Sequence, residues 1–172
     1  MSSADETPRS LFVVGLRNAH AMEKEAIAMM ERQIASIEKY PEMKAKLEAH
    51  LQETHGQHQR LDRILDELGE DRSAFKDMAM NLMGNVNALT ASMADDAILK
   101  STFANFAFEN FETAAYKSLI RMAELDGHTA AIPLLEQSLS EELAMARWID
   151  EHVDDVTTRY VTVSHAGHDA SL

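Results

Sequence analysis

Apolar residues recur along most of the chain at alternating intervals of three and four. The first series runs Leu16, Ile27, Met30, Ile34 and Ile37, with His20 and Glu23 filling two places in the same progression. Such an interval marks one face of an α-helix, whose side chains return to the same side every 3.6 residues. It predicts a first helix from about Leu11 to Lys39. Tyr40-Pro41 should stop it, because proline has no amide hydrogen and biases its predecessor away from helical geometry. A second helix is expected from about Glu42 to Leu68, ending at Gly69, a residue able to take the left-handed conformation of a helix C-terminus. From about Asp95 to Leu125 the chain is again strongly helical, until Asp126-Gly127 breaks it. Thr129 is expected to cap a last helix reaching about Asp155, with Pro133 tolerated in its first turn.

Between the second and third long helices lies a Met-rich stretch, 73–93, with Met78, Leu82, Val86 and Leu89 at helical spacing and only Lys76 and Asp77 as charges. It reads as a short covering or crossover helix. The ends look different: 1–10 is a flexible polar segment, and 157–172 is left as a tail, since its β-branched residues give way to Gly, Ser, His165 and His168 without helical periodicity. Those two histidines could bind a metal, but a loose chain end is the favoured reading. The expectation is therefore an all-α domain over 11–156, a ferritin-like four-helix bundle with an additional short helix in the crossover between the second and third bundle helices.

Composition narrows the function. At 172 residues the chain suits one domain with a real core, and few Gly and Pro beside eleven Met agree with helix. The absence of Cys excludes disulfides, thiolate metal sites, iron-sulfur clusters and a cysteine nucleophile, so any metal must sit on oxygen and nitrogen ligands. A net charge of -13 argues against nucleic acid and anionic lipid as partners and favours attraction of cations. The polar, acidic start does not read as a secretory signal, and charges interrupt every apolar stretch before it could span a bilayer; a cytoplasmic protein is expected.

The informative residues are acids on apolar stripes. Glu23 lies mid-way along the first series, and Glu142 interrupts Leu135, Leu139, Ala146, Ile149 and Val153 in the last helix. In the third long helix Phe106, Glu109, Thr113, Tyr116 and Ile120 mark the inner face, with Glu112 on the same side. In the second, His50, Glu53, Gln57, Leu61 and Ile64 fall together. Burying an ionised carboxylate without compensation costs several kcal/mol. Basic partners are lacking on these faces, and His20 and His50 are too few to neutralise five acids; two divalent ions would neutralise four. A glutamate at the edge of a stripe can instead reach water, which makes each acid alone ambiguous and the set of five informative. Tyr116 serves equally well as a hydrogen-bond donor to a ligand or as an interior aromatic. His55 and His58 read as solvated residues on an exposed flank, Asp62, Asp66 and Glu67 as a solvated acidic face, and the methionines as core fillers.

Glu23-Lys24, Glu53-Thr54 with Gly56-Gln57, Glu109, Glu112, Ala114, Ala115 and Tyr116, and Glu141-Glu142 together resemble the YciE/YciF group of ferritin-like proteins, relatives of the rubrerythrin-type di-iron bundles for which ferroxidase activity has been suggested. The resemblance spans nearly the whole helical region. It implies a di-metal site with Glu23, Glu53, Glu109, Glu112 and Glu142 as leading ligands and His50 or Gln57 adjoining. The pattern also departs from the group: Gly56 and Met145 stand where many di-iron bundles complete a Glu-x-x-His pair, Ala146 replaces a frequent acid, and His20 replaces an aromatic residue.

With two iron ions the implied chemistry is oxidation of Fe(II) by dioxygen or hydrogen peroxide, with the apolar layers of Ile27, Met30, Phe106 and Ile149 limiting water; with manganese it is peroxide dismutation. The alternative is a non-enzymatic helical metal-binding or stress-related dimer with a degenerate site. A homodimer formed through the Met-rich helix is expected in either case.

Overall fold

The computed structural model describes residues 7–70, 96–166 and 170. They form four long helices: α1 (Pro8–Ser36), α2 (Pro41–Glu67), α3 (Ala97–Asp126) and α4 (Ile132–His165), with a 3-10 turn, Thr129–Ala131, ahead of α4. No strand occurs among the described residues. The expected crossover helix over 73–93, and with it the expected dimer surface, lies outside them.

Local chemistry sets the ends. α1 begins three residues before the expected Leu11, because Thr7 and Ser10 cap each other reciprocally: the Ser10 amide donates to Thr7 Oγ1 at 3.1 Å and the Thr7 amide to Ser10 Oγ at 2.9 Å. The helix stops at Ser36 rather than Lys39, and Ile37, extended, turns its side chain into the core. Pro41 opens α2. Gly69 and Gly127 carry φ of 69° and 77° after α2 and α3, the left-handed geometry that ends a helix. Thr129 does not cap α4; it starts the 3-10 turn, and the α-helix follows from Ile132 without a side-chain cap.

α4 differs most from expectation, running ten residues past Asp155 to His165. Val156 is buried in the core cluster and Tyr160 packs against it, so tertiary contact overrides the weak helix preference of the β-branched residues there. Thr157 and Thr162 return their hydroxyls to the carbonyls of Val153 and Thr158 at 2.7 and 2.8 Å. Beyond the helix, the Tyr40 hydroxyl donates to the Ala170 carbonyl at 2.8 Å, tying the chain end to the α1–α2 connection.

The helices pack chiefly as α3 on α4 and α1 on α2, with α1 also against α3. The core holds Phe12, Leu16, Leu47, Leu61, Ile64, Leu65, Ile98, Leu135, Met145 and Ile149. Its α1 face is wider than the expected seam: Ala19, Met22, Ala26 and Met29 are buried, while His20, Ile27 and Ile34 lie at its edge. Phe106, expected on the inner face of α3, is 38% exposed; Asn105 and Phe108 point inward instead. Gly15 lets α1 approach α3, since a Cβ there would lie 2.9 Å from Leu119 Cδ2. Among the described residues, no helix is long and apolar enough to cross a membrane.

Candidate metal centre

Each helix brings a polar group into the middle of this core. α1 supplies Glu23, α2 His50 and Gln57, α3 Glu109 and Glu112, and α4 Glu142, all of them buried. The reason is the helical repeat: each occupies a place in its helix's apolar stripe, so folding the stripe inward carries the acid with it.

His50 is the hub. Its Nε2 lies 3.1 Å from Glu109 Oε2 and 3.7 Å from Glu142 Oε2, and its Nδ1 lies 2.9 Å from Glu53 Oε2. His50, Glu109 and Glu142 each place a ligand atom within 4.8 Å of the others. Tyr116 donates its hydroxyl to Glu23 Oε1 at 2.5 Å. Other buried atoms have no hydrogen-bond partner: Glu23 Oε2, Glu112 Oε1, both oxygens of Glu142 and both polar atoms of the Gln57 amide. An unsatisfied buried acceptor costs about 1–3 kcal/mol, and more when charged.

Glu53 does not join the interior set. Its side chain is 39% exposed, at the rim, where it grips the outer nitrogen of His50. α2 turns Thr54 rather than Glu53 into the core, and Thr54 Oγ1 donates to the His50 carbonyl at 3.0 Å. Arg60 is a nearby cation that no apolar stripe signals. Its Nε donates to Ser138 Oγ at 3.0 Å and its Nη2 pairs with Glu141, so it is engaged beside the buried acids rather than with them.

Electrostatics follow from this crowding. Burial raises the Glu23 carboxyl to about 8, against the lowering effect of the Tyr116 hydroxyl. Burial also raises Glu112 well above the usual carboxylate range, assisted by Glu142, Glu23 and Glu109; burial and then Glu109 do the same for Glu142. Burial opposes charge on His50, but Glu109 and Glu53 overcome it and lift the imidazole to about 10. The hydrogen bond from His50 lowers Glu53. Burial, then the neighbouring Glu23, raises the Tyr116 phenol.

These residues fit a divalent cation. Four buried carboxyls, three of them with unpartnered oxygens, face one imidazole, and they are oxygen and nitrogen donors of the kind iron, manganese and zinc accept. Without a cation, burial favours the protonated form of Glu23, Glu112 and Glu142.

A model of the family described as Domain of unknown function (DUF892) matches residues 7–162, from the cap of α1 to near the end of α4. The chain belongs to the DUF892 family. Protein YciF of Escherichia coli strain K12 is 27% identical over 143 residues, covering 81% of this chain and 86% of YciF. The motif resemblance to the YciE/YciF group is thus shown by comparison as well. Among solved structures, a protein of Xanthomonas campestris pv. campestris superposes with a TM-score of 0.78 at 30% identity, over 92% of this chain and 98% of that one. The E. coli stress protein YciF gives 0.78 at 23% identity, over 87% and 96%, and shares the fold. The DUF892 match reaches past Asp155, in keeping with the length of α4.

A second group of ligand-type side chains lies one helical step outside the DUF892 chain's buried acids. His20 of α1 meets His58 and Asp62 of α2 at partly buried positions, although His58 and Asp62 read from sequence as a solvated flank. The i,i+4 spacing of His58 and Asp62 was the available signal; its partner on α1 was not, because contact across two helices depends on their rotation against each other.

Proposed function

We propose that this DUF892 protein is a di-metal carboxylate protein that oxidises Fe(II) with dioxygen or hydrogen peroxide, in metal or oxidative-stress handling. The observation that carries the reading is the set of buried carboxyl oxygens without partners, on three helices around one imidazole. Glu23, Glu109, Glu112, Glu142 and His50 would hold the ions. Iron bound there would supply the one-electron redox couple, and manganese would supply peroxide dismutation on the same ligands.

The chain's own contributions follow from its geometry. Glu53, half-exposed, accepts the Nδ1 proton of His50 and so leaves Nε2 as the ligand nitrogen facing Glu109 and Glu142. Glu53 thereby acts as a positioning residue, and its rim location also makes it the carboxylate best placed to meet an incoming cation. Tyr116 fixes one oxygen of Glu23 and leaves the other for the metal. Glu23, Glu112 and Glu142, held protonated by burial, release protons as the cation enters. Leu61, Met145 and Ile149, fully buried on the same helices, keep water from the neighbouring layers.

The test is elemental analysis of protein purified without chelator, followed by anaerobic reconstitution with ferrous iron and an oxygen-uptake trace on exposure to air. The reading expects close to two metals per chain and uptake that is lost in Glu112→Gln and Glu142→Gln. Wild-type protein that takes up no metal after reconstitution would defeat it. Metal uptake without oxygen or peroxide consumption would leave a helical metal-binding protein without oxidase activity.

A further inference from the structure

The structure also contains a cluster that the buried centre does not use. His20 Nε2 on α1 lies 3.0 Å from Asp62 Oδ1 on α2, and His58 Nδ1, one turn before Asp62, lies 3.7 Å from its Oδ2. The two imidazole rings face each other across the α1–α2 seam, with centroids 4.1 Å apart. One ligand atom from each residue falls within 4.8 Å of the other two. His58 Nε2 is buried and has no hydrogen-bond partner.

We propose that His20, His58 and Asp62 form a second divalent-cation site, taking a transition metal of the zinc or ferrous type and filling independently of the buried carboxylate centre. The distances suit it. With bonds of about 2.0–2.1 Å, neighbouring ligands of a tetrahedral ion lie about 3.3–3.4 Å apart. The two imidazoles reach different oxygens of Asp62, at 3.0 and 3.7 Å, and all three ligand atoms fall within 4.8 Å of one another, close enough for one ion to draw them together. Two imidazoles and one carboxylate select zinc, iron, cobalt, nickel or copper over magnesium and calcium, which prefer all-oxygen shells. The side chains are 16%, 25% and 24% exposed, which leaves a solvent side for water or an exchanging ligand.

The position gives the site its sense. His20 precedes Glu23 by three residues, about 4.5 Å of rise along α1, and His58 follows Gln57 directly, so the cluster adjoins the buried centre on both helices. Lys24 and His55 are the nearby basic groups, and the Asp62 carboxylate opposes their charge.

The experiment is calorimetric titration with Zn2+ of the full chain carrying Glu109→Gln and Glu142→Gln, which disables the buried centre. One equivalent is expected to bind. Adding His58→Ala, His20→Ala or Asp62→Asn should weaken it by at least about 100-fold, while His152→Ala, on α4 against Trp148, should change nothing. In otherwise wild-type protein His58→Ala should remove one bound Zn2+ per chain, a readout that does not depend on the Gln variants folding. Unchanged stoichiometry and affinity in the His20, His58 and Asp62 variants would overturn the proposal. Retention of this equivalent in a protein whose buried acids bind nothing would sink the di-metal reading alone.

Discussion

Replacing Glu23 by glutamine should stabilise the metal-free protein, and do so more strongly as pH rises. Glu23 is fully buried and its carboxyl is raised from 4.5 to about 8, chiefly by desolvation. A group raised in this way contributes its full stability below the unfolded pKa and loses it as pH climbs through the folded one. Keeping the carboxyl protonated at pH 7 against an ordinary value of 4.5 costs about 3 kcal/mol, at 1.36 kcal/mol per pH unit. Glutamine keeps an acceptor for the Tyr116 hydroxyl and removes the acid. An unpaired amide donor subtracts a pH-independent 1–3 kcal/mol or so, which makes the slope the decisive quantity. For a domain of this size about 3 kcal/mol corresponds to roughly 6–12 °C in Tm. The assay is thermal melting of chelator-stripped wild type and Glu23→Gln between pH 4.5 and 8.5. The difference should widen by that amount up to pH 7, reach about 4–5 kcal/mol near pH 8 and then flatten. A difference that does not vary with pH would show that Glu23 carries no burial penalty and would undo the electrostatic reading of the core.

Metal addition should act in the same direction, since a bound cation relieves the same penalty. Reconstituted wild type should gain more Tm at pH 8 than at pH 5.5 and release protons on binding, measured by calorimetry in buffers of different ionisation enthalpy. Glu53→Gln should weaken metal binding by about 10–100-fold while leaving the fold intact, since it removes the partner that orients His50; equal affinity would mean His50 is oriented without it. Gly15→Ala should lower stability by about 1 kcal/mol in urea unfolding, because overpacking against Leu119 and Met122 at 2.9 and 3.3 Å outweighs the gain in helix propensity. Met145→Ala, at a fully buried position, should cost about 2–5 kcal/mol by the same assay.

Four of the five acids singled out from sequence lie buried in the core, and the reason is that each stands at the middle of an apolar stripe long enough to fix the helix's rotation. Glu53 was misplaced because α2 is richer in polar residues: with Thr54 and Gln57 inward, a rotation of one residue moves Glu53 from interior to rim. The length of α4 was hidden for a different reason. Local preference at Thr157, Val161 and Val163 argues against helix, and only the packing of Val156 and Tyr160 reverses it. The His20, His58 and Asp62 cluster needs the register of two helices, which no single-helix pattern contains.

If a cation fills the centre, its unpartnered carboxyls would tie the protein's survival to metal supply. Ligands that bind only the folded chain stabilise it by about 1.4 kcal/mol for every tenfold excess over the dissociation constant. A chain that carries repelling acids in its core begins with less stability to spare, so a starved cell would expose more of it, transiently opened, to proteases. Its abundance would then track the metal available to it through turnover alone.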